Sequence, residues 1–149
     1  MSFDPNLREE VWANPSEIKS TVMKAVALAD VVKFSEEELV LLTGSQSVEQ
    51  GLNAIADFDN TLILVTQGAK GVWRIFEGSG KRVTGQVVQP IDTTGAGDTF
   101  TGYVLAGLDR GQPMLQAMQT ATKAAALMVM RHGTADVIPD LSEVHSFSG

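Results

Sequence analysis

The sequence contains no cysteine, only two histidines, and aromatic residues at 6% of its 149 positions. Without cysteine there is no disulfide framework, and no thiolate is present for catalysis or metal binding. No apolar run approaches the roughly 20 residues that a membrane-spanning helix needs, and we expect no secretory leader at the start. These absences exclude a disulfide-stapled domain and a cysteine enzyme, and they favour a cytoplasmic protein without membrane contact.

Basic residues are also scarce, because 11 Lys and Arg face 18 Asp and Glu and the net charge is −7. This balance argues against a nucleic-acid surface, which neutralises phosphates with Lys and Arg. It does not argue against a small anionic ligand, because local amides and cations decide such binding. Hydrophobic residues make up 44% of the chain, which is enough for a core. We therefore expect one α/β domain over residues 1–149.

Strand and helix patterns alternate along the chain. Helical periodicity and end signals predict helices at Pro15–Leu28, Ser35–Leu42, Val48–Phe58, Thr99–Leu108 and Pro113–Arg131. Ser35 and Glu38 have the spacing of a capping box, and Gly44 closes the helix that they begin. Apolar runs predict strands at Met1–Asp4, Asp30–Phe34, Thr61–Thr66, a hairpin of Val72–Phe76 with Lys81–Val83 across residues 77–80, and a sheet extension at Gln86–Val88. This order predicts a layered α/β domain with a largely parallel sheet.

The most informative segment is the turn Gly95-Ala96-Gly97, which stands directly before Asp98 and a predicted helix. The small residues let their backbone amides converge on one anion at the positive end of that helix. Asp98 would repel a bound phosphate unless it has a chemical role, and taking a proton from a hydroxyl that attacks phosphorus fits. No Gly-Lys-Ser/Thr follows, so this is not a Walker A loop. The alternative is a tight strand-to-helix turn without chemistry.

Asp92–Phe100, which reads Asp-Thr-Thr-Gly-Ala-Gly-Asp-Thr-Phe, resembles the second signature of the ribokinase-like (PfkB) sugar kinases. Ser2–Arg8, Ala29–Glu38 and Val65–Gly71 resemble further family segments in the family's order, and the first two are similar to bacterial fructokinases and aminoimidazole riboside kinase. The resemblance implies the C-terminal portion of a three-layer ribokinase-like fold, with a mainly parallel central sheet and helices on both faces. Family members are longer, so we expect a truncated chain, the nucleotide-binding half without most sugar contacts.

By this resemblance Asp98 is the catalytic base, and the amides of Gly95, Ala96 and Gly97 form the anion hole. The implied activity is phosphoryl transfer from Mg·ATP to a sugar hydroxyl, with fructose giving fructose 6-phosphate. Aminoimidazole riboside or another furanose is the enzymatic alternative, and a nucleotide-binding fragment inactive on its own is the other. For the full-length enzyme the resemblance implies a homodimer that binds ATP and a small sugar.

The acidic run Glu36-Glu37-Glu38 opens a predicted helix, where carboxylates complement the helix dipole or hold Mg²⁺ through water. The family has Asn-x-x-Glu at this place, and the resemblance assigns the magnesium role to Glu38 alone. Ser35 stands where the family has Asn and offers a shorter oxygen ligand to the cofactor. For both residues the alternative is the capping box by itself.

Further nucleotide contacts are implied at the end of a buried strand, where open α/β sheets bind ligands, and after the Asp-Pro-Asn turn. Lys70 either lies over a phosphate or is a solvated lysine. The Arg8 guanidinium either binds phosphate bidentately or pairs with Asp4 or another local acid. The full set of implied contacts is Thr66, Gly68, Lys70, Gly71, Arg8 and Ser35.

A potassium ion is the last group that the resemblance implies, because the family often binds a monovalent cation behind the anion hole. The ligands there are backbone oxygens and an acid, so residue type leaves little signature. Such an ion would stiffen the amides aimed at the phosphate. The candidates are the Asp92 side chain and the carbonyls of Thr94, Met128, Arg131, Gly133 and Val137.

Overall fold

A computed structural model describes residues 1–76 and 79–148, with the side chain of residue 9 left out. The chain divides into two units. The first comprises Met1–Gln67 and Trp73–Arg82, and the second comprises Gly68–Val72 and Val83–Gly149. Two residues of the predicted hairpin turn, 77 and 78, lie outside the described residues.

The strands form one sheet in the order β1-β2-β3-β4-β5. β1 (Ser2–Phe3) pairs in parallel with β2 (Val31–Ser35), which pairs in parallel with β3 (Leu62–Thr66). The register aligns Ser35 with Thr66, so these two strands end side by side. The last two strands are β4 (Val72–Phe76) and β5 (Ser79–Val83). The predicted α/β class with parallel strands is confirmed, and the carboxyl ends of β2 and β3 share one edge.

The first unit packs its helices around an apolar core. They are α1 (Ile18–Val26), α2 (Glu36–Thr43) and α3 (Val48–Ala54). A short 3-10 helix with Pro15 at its first position precedes α1, so the predicted helix at Pro15–Leu28 exists but is shorter. The buried residues of this core are Ile18, Val22, Val26, Ala29, Val32, Phe34, Leu39, Leu42, Ile55, Ile63, Val65 and Ile75.

The second unit contains α4 (Ala96–Asp109), α5 (Met114–Val129) and the short α6 (Leu141–Ser146). A Cβ on Gly107 of α4 would stand 2.8 Å from the Cβ of Ala117 on α5, so the missing side chain allows the two helices to approach closely. Helix α6 was not predicted. Over residues 1–76 and 79–148, no helix combines the length and apolarity that crossing a membrane requires.

Two further predictions of secondary structure need correction. Gln86–Val88 is not a strand, since residues 84–90 have no regular structure and Val87 is 88% exposed. Two adjacent valines without alternation give a segment no single face to bury, which explains the failure. The helix predicted at Thr99–Leu108 begins three residues earlier, at Ala96. Asp98 therefore lies inside the first turn rather than before it.

Candidate active site

The start of α4 is made of small residues and has no side-chain cap. Gly95 is the N-cap residue in a left-handed conformation with φ +77, and a Cβ there would stand 3.0 Å from Cε of Met128. The left-handed backbone therefore favours glycine, and a Cβ there would displace the flexible end of Met128 slightly. The sequence thus builds a helix start in which no side chain competes for the first amides.

Several amides of this turn are left for an anion. The Ala96 amide donates to the Thr93 carbonyl at 3.3 Å, a long bond. Within the described part of the chain, the amides of Gly95, Gly97 and Asp98 have no acceptor. Unpaired N–H groups at the positive end of a helix form an anion-binding site. The exposed Asp98 carboxylate lies in the same turn.

The segment before α4 is fastened to the end of α5. The amides of Ile91 and Asp92 both donate to the Val129 carbonyl, at 2.7 and 3.1 Å. The Asp92 carboxylate accepts the Thr94 amide at 2.9 Å. This hydrogen bond lowers the pKa of Asp92, and the nearby His132 acts in the same direction. The two segments predicted to hold a cation thus meet within the second unit.

The remaining cation candidates follow α5. Arg131 donates from Nη1 to the Val137 carbonyl at 3.2 Å and from Nη2 to Glu143 at 2.6 Å. The Met128 carbonyl accepts the Arg131 amide at 3.1 Å. The Met128 carbonyl also accepts the Met130 amide, whereas the Val137 carbonyl accepts a single hydrogen bond within the described residues. A carbonyl oxygen has two lone pairs, so Val137 keeps one for an ion. Within the described ranges, no group of three acidic or histidine side chains is placed to hold a metal.

Gly68 and Gly71, both predicted nucleotide contacts, differ in their surroundings. A Cβ on Gly68 (φ +53) would meet nothing within 4 Å, whereas one on Gly71 would stand 2.1 Å from the Val83 carbonyl. Gly85 lies opposite Gly71, and a Cβ on Gly85 would stand 2.3 Å from the Ala69 carbonyl. Gly71 therefore permits two backbone segments to cross, while the space at Gly68 is open. Lys70 is exposed on the short 3-10 helix between them.

Thr66, Ser35 and Glu38 lie at the carboxyl ends of β2 and β3. The Thr66 hydroxyl donates to the Phe34 carbonyl at 3.3 Å. The predicted capping box is confirmed, since Ser35 Oγ accepts the Glu38 amide at 3.1 Å and Glu38 Oε2 accepts the Ser35 amide at 2.7 Å. The other oxygen of Glu38 accepts the Leu7 amide at 2.7 Å. Glu38 thus connects the start of α2 to the turn before Arg8.

That turn also holds a buried ion pair that sequence reasoning missed. Lys33 Nζ lies 3.0 and 3.2 Å from the two oxygens of Asp4, and the lysine is only 8% exposed. Burial raises the pKa of Asp4, and the Lys33 charge opposes that shift. The suggested Arg8–Asp4 pair is therefore wrong, because Asp4 pairs with Lys33. A lysine inside the apolar run of β2 was the available signal.

An uncapped glycine turn opening a helix, in an α/β chain with parallel strands, is typical of proteins that bind phosphate groups. The profile described as "pfkB family carbohydrate kinase" matches residues 1–141, and the chain belongs to that family. The family prediction made from Asp92–Phe100 is thereby confirmed.

Individual relatives agree with this assignment. A fructokinase of Vibrio alginolyticus is 54% identical over 155 aligned positions, which cover all of this chain and 50% of the relative. A fructokinase double mutant of Vibrio cholerae O395, solved with fructose, ADP and potassium, is 49% identical with a TM-score of 0.92, covering 98% of this chain and 49% of that one. Aminoimidazole riboside kinase of Salmonella enterica, solved with aminoimidazole riboside and an ATP analogue, is 28% identical with a TM-score of 0.88, covering 97% and 50%.

The ribokinase-like fold is confirmed by these structures. The chain spans about half the length of the relatives that it matches.

Proposed function

We propose that a protein containing this chain transfers a phosphoryl group from Mg·ATP to a hydroxyl of fructose. The observation that carries the proposal is the uncapped start of α4, with unpaired amides beside the exposed carboxylate of Asp98. This reaction needs a carboxylate that accepts a proton. It also needs fixed N–H groups that stabilise the charge on the phosphoryl group. Family membership supports the same reaction.

In this proposal Asp98 takes the proton from the attacking hydroxyl, and the amides of Gly95, Ala96 and Gly97 bind the γ-phosphoryl oxygens. A hydroxyl with a pKa far above 7 is a poor nucleophile until it loses its proton, so the base belongs beside the anion hole. The nucleotide contacts proposed for the rest of the chain are Thr66, Gly68, Lys70, Gly71, Arg8 and Ser35.

Magnesium neutralises phosphate charge and bridges phosphate oxygens in kinases. Both oxygens of Glu38 already accept backbone amides, yet each keeps a lone pair. The residue therefore fits a magnesium ion held through water rather than by direct coordination. For potassium, the Asp92 carboxylate with the carbonyls of Thr94, Met128, Arg131, Gly133 and Val137 fits in donor type, since hard cations prefer oxygen.

Fructose is proposed as the sugar because two Vibrio fructokinases are 54% and 49% identical to this chain. Aminoimidazole riboside is the second candidate, and the similar structure of its kinase supports it at 28% identity. A cytoplasmic homodimer completes the proposal. The lack of cysteine agrees with a reducing compartment, and the dimer follows from the family resemblance alone.

Isothermal titration of the chain with Mg·ATP, run beside a coupled ADP-release assay with fructose and with aminoimidazole riboside, tests the proposal. Binding with fructose-dependent ADP release is the expected result for a protein that carries both halves. Binding without turnover is expected for the 149-residue chain alone, because the relatives are twice as long. Absence of ATP binding would overturn the proposal, and turnover with the riboside alone would replace fructose.

A further inference from the structure

The turn Asp4–Arg8, hereafter the arginine turn, has a backbone that ordinary side chains avoid. Asn6 has φ +42, and among the described residues it alone of the non-glycine residues has a positive φ. Asparagine tolerates this conformation better than other residues, but the conformation still persists only when its surroundings enforce it. Something outside the turn must therefore hold it.

Two buried charged side chains enforce the shape of the arginine turn. Lys33 reaches Asp4 at its beginning, and Glu38 accepts the Leu7 amide near its end at 2.7 Å. Both side chains are 8% exposed. The beginning and the end of the turn thus each have a buried charged partner.

Buried charged side chains such as Lys33 and Glu38 add little net stability to a fold. Taking charges out of water costs free energy that a buried pair scarcely recovers, and apolar residues of similar size often stabilise as well. In some proteins, buried ionic groups instead serve to hold the backbone in one conformation. Here the geometry fixed is the backbone on both sides of Arg8, because the Leu7 amide binds Glu38 and the Arg8 carbonyl accepts the Val11 amide at 3.2 Å.

Arg8 is exposed, and within the described part of the chain its guanidinium forms no ion pair. A guanidinium on a rigid turn binds a phosphate with little loss of conformational entropy, and its planar fork matches two phosphate oxygens. The arginine turn thus presents a cation that pairs with no acid among the described side chains.

We propose that Lys33 and Glu38 are positioning residues that lock the arginine turn so that Arg8 binds a phosphate group of the nucleotide. The inference rests on the proposed function and extends it, because Lys33 acquires a role and Glu38 acts on Arg8 through the Leu7 amide. Neither residue needs to touch the nucleotide for this purpose.

A double-mutant cycle with Lys33→Met and Arg8→Ala tests the inference, with Mg·ATP and adenosine as the titrated probes. Each single substitution is expected to weaken ATP binding about tenfold, roughly the value of a charge-assisted contact. The double variant is expected to be no weaker than Arg8→Ala, because Lys33 acts through Arg8. Adenosine affinity stays unchanged in all three, since adenosine carries no phosphate.

Conservative and control variants separate positioning from general stability. Lys33→Arg keeps the charge, and we expect it to bind ATP almost as tightly as the unmodified chain. Lys123→Met is the control, because it removes a lysine of the second unit that donates to the Phe147 carbonyl. We expect its ATP affinity to equal that of the unmodified chain. Glu38→Gln keeps one acceptor oxygen, and we expect faster hydrogen exchange at the Leu7 amide with unchanged far-ultraviolet circular dichroism.

The outcomes that contradict the inference are distinct from those that contradict the proposed function. Additive losses in the cycle, or equal losses of ATP and adenosine affinity, would overturn the positioning role alone. Unaltered ATP affinity in Arg8→Ala would do the same. If the unmodified chain binds adenosine and ATP equally, Arg8 has no phosphate to bind and the inference is wrong. Failure to bind either probe would overturn the proposed function and the inference together.

Discussion

The starts of α2 and α4 solve the same problem in opposite ways. Both helices leave their first amides without partners inside the helix. At α2, Ser35 and Glu38 close the end with a reciprocal pair of hydrogen bonds. At α4, Gly95 offers no side chain, and the amides of Gly97 and Asp98 find no acceptor within the described residues. A closed start stabilises the fold, whereas an open start is available to a ligand.

The acidic residues in the first turns of α2 and α4 also differ, because one is hydrogen-bonded and buried and the other is exposed. Glu38 is buried, and both of its oxygens accept backbone amides. Asp98 is exposed in the first turn of α4. An acid whose hydrogen bonds are already made holds structure together, and one that remains exposed is available to take part in a reaction. Four experiments test or refine this contrast.

The largest effect is expected for Asp98→Asn in a full-length protein that contains this chain. Turnover should fall about 10³-fold, because an amide cannot accept the proton that a general base removes. ATP affinity should stay within a few-fold. Steady-state kinetics with fructose, paired with ATP titration, measures both quantities. Equal losses in turnover and affinity would move Asp98 from proton acceptor to binding residue.

Gly95→Ala tests whether the open start of α4 depends on glycine. We expect the free energy of unfolding to drop by about 1–2 kcal/mol, since a left-handed alanine is strained and its Cβ would also displace the flexible end of Met128 slightly. Gly44→Ala at the end of α2 is the matched control, with φ +70 and nothing within 4 Å. Only the strain of about 1 kcal/mol applies there. Urea denaturation that gives equal losses would show that Met128 does not matter.

Ser35→Ala opens the closed start of α2. Loss of an N-cap of this kind costs about 1 kcal/mol of stability. Ser47 caps α3 through one bond to the Gln50 amide at 3.2 Å, without a returning carboxylate. Each alanine removes one hydroxyl–amide hydrogen bond, whereas Glu38 still accepts the backbone amide of residue 35. The two losses in urea denaturation should therefore be similar, and a clearly larger loss at Ser35 would show that the serine and the carboxylate of the box act cooperatively.

The smallest expected effect is on the stability of the folded chain at low pH. The closed start of α6 pairs Asp140 with Glu143, and the Ser142 hydroxyl lowers the pKa of Asp140 while the Arg131 side chain lowers the pKa of Glu143. Both acids are ionised more readily in the folded chain. Their contribution to the stability of the fold is therefore fully present above the ordinary pKa values of 3.8 and 4.5. It is lost as the pH falls through the lowered pKa values of the folded chain.

Asp4 acts with the opposite sign, because its pKa is raised by burial and the folded chain binds its proton more tightly. Unfolding free energies measured between pH 7 and pH 3 should fall less steeply in the variant Asp140→Asn/Glu143→Gln than in the unmodified chain. Parallel curves for the two proteins would show that these acids do not contribute.

Local patterns were predictable from the sequence, and contacts between distant residues were not. The capping box at Ser35, the helix end at Gly44 and the strand Thr61–Thr66 follow from nearest-neighbour chemistry, and the structure confirms them. Helix α6 was missed, although Asp140 and Glu143 carry the same capping signature. The local signal for this helix is therefore present in the sequence.

The rest depends on which segments meet. The hydrogen bond from the Leu7 amide to Glu38 joins residues 31 positions apart, and no spacing rule predicts it. The partner of Asp4 is likewise 29 positions away. Gly71 was predicted only as a nucleotide contact, and its closeness to the Val83 carbonyl could not be foreseen from the sequence. The roles of the individual site residues stay predictions that the proposed variants test.

The close approach of Gly107 to Ala117 has a consequence for how the chain folds. Helices α4 and α5 are joined by only four residues, 110–113, so their contacts connect near neighbours along the chain. Contacts of low sequence separation cost little loop-closure entropy and form quickly. The parallel strands β1 and β2 instead join residues about 29 positions apart. We therefore expect the helical pair that carries Asp98 to assemble early, before the sheet is complete.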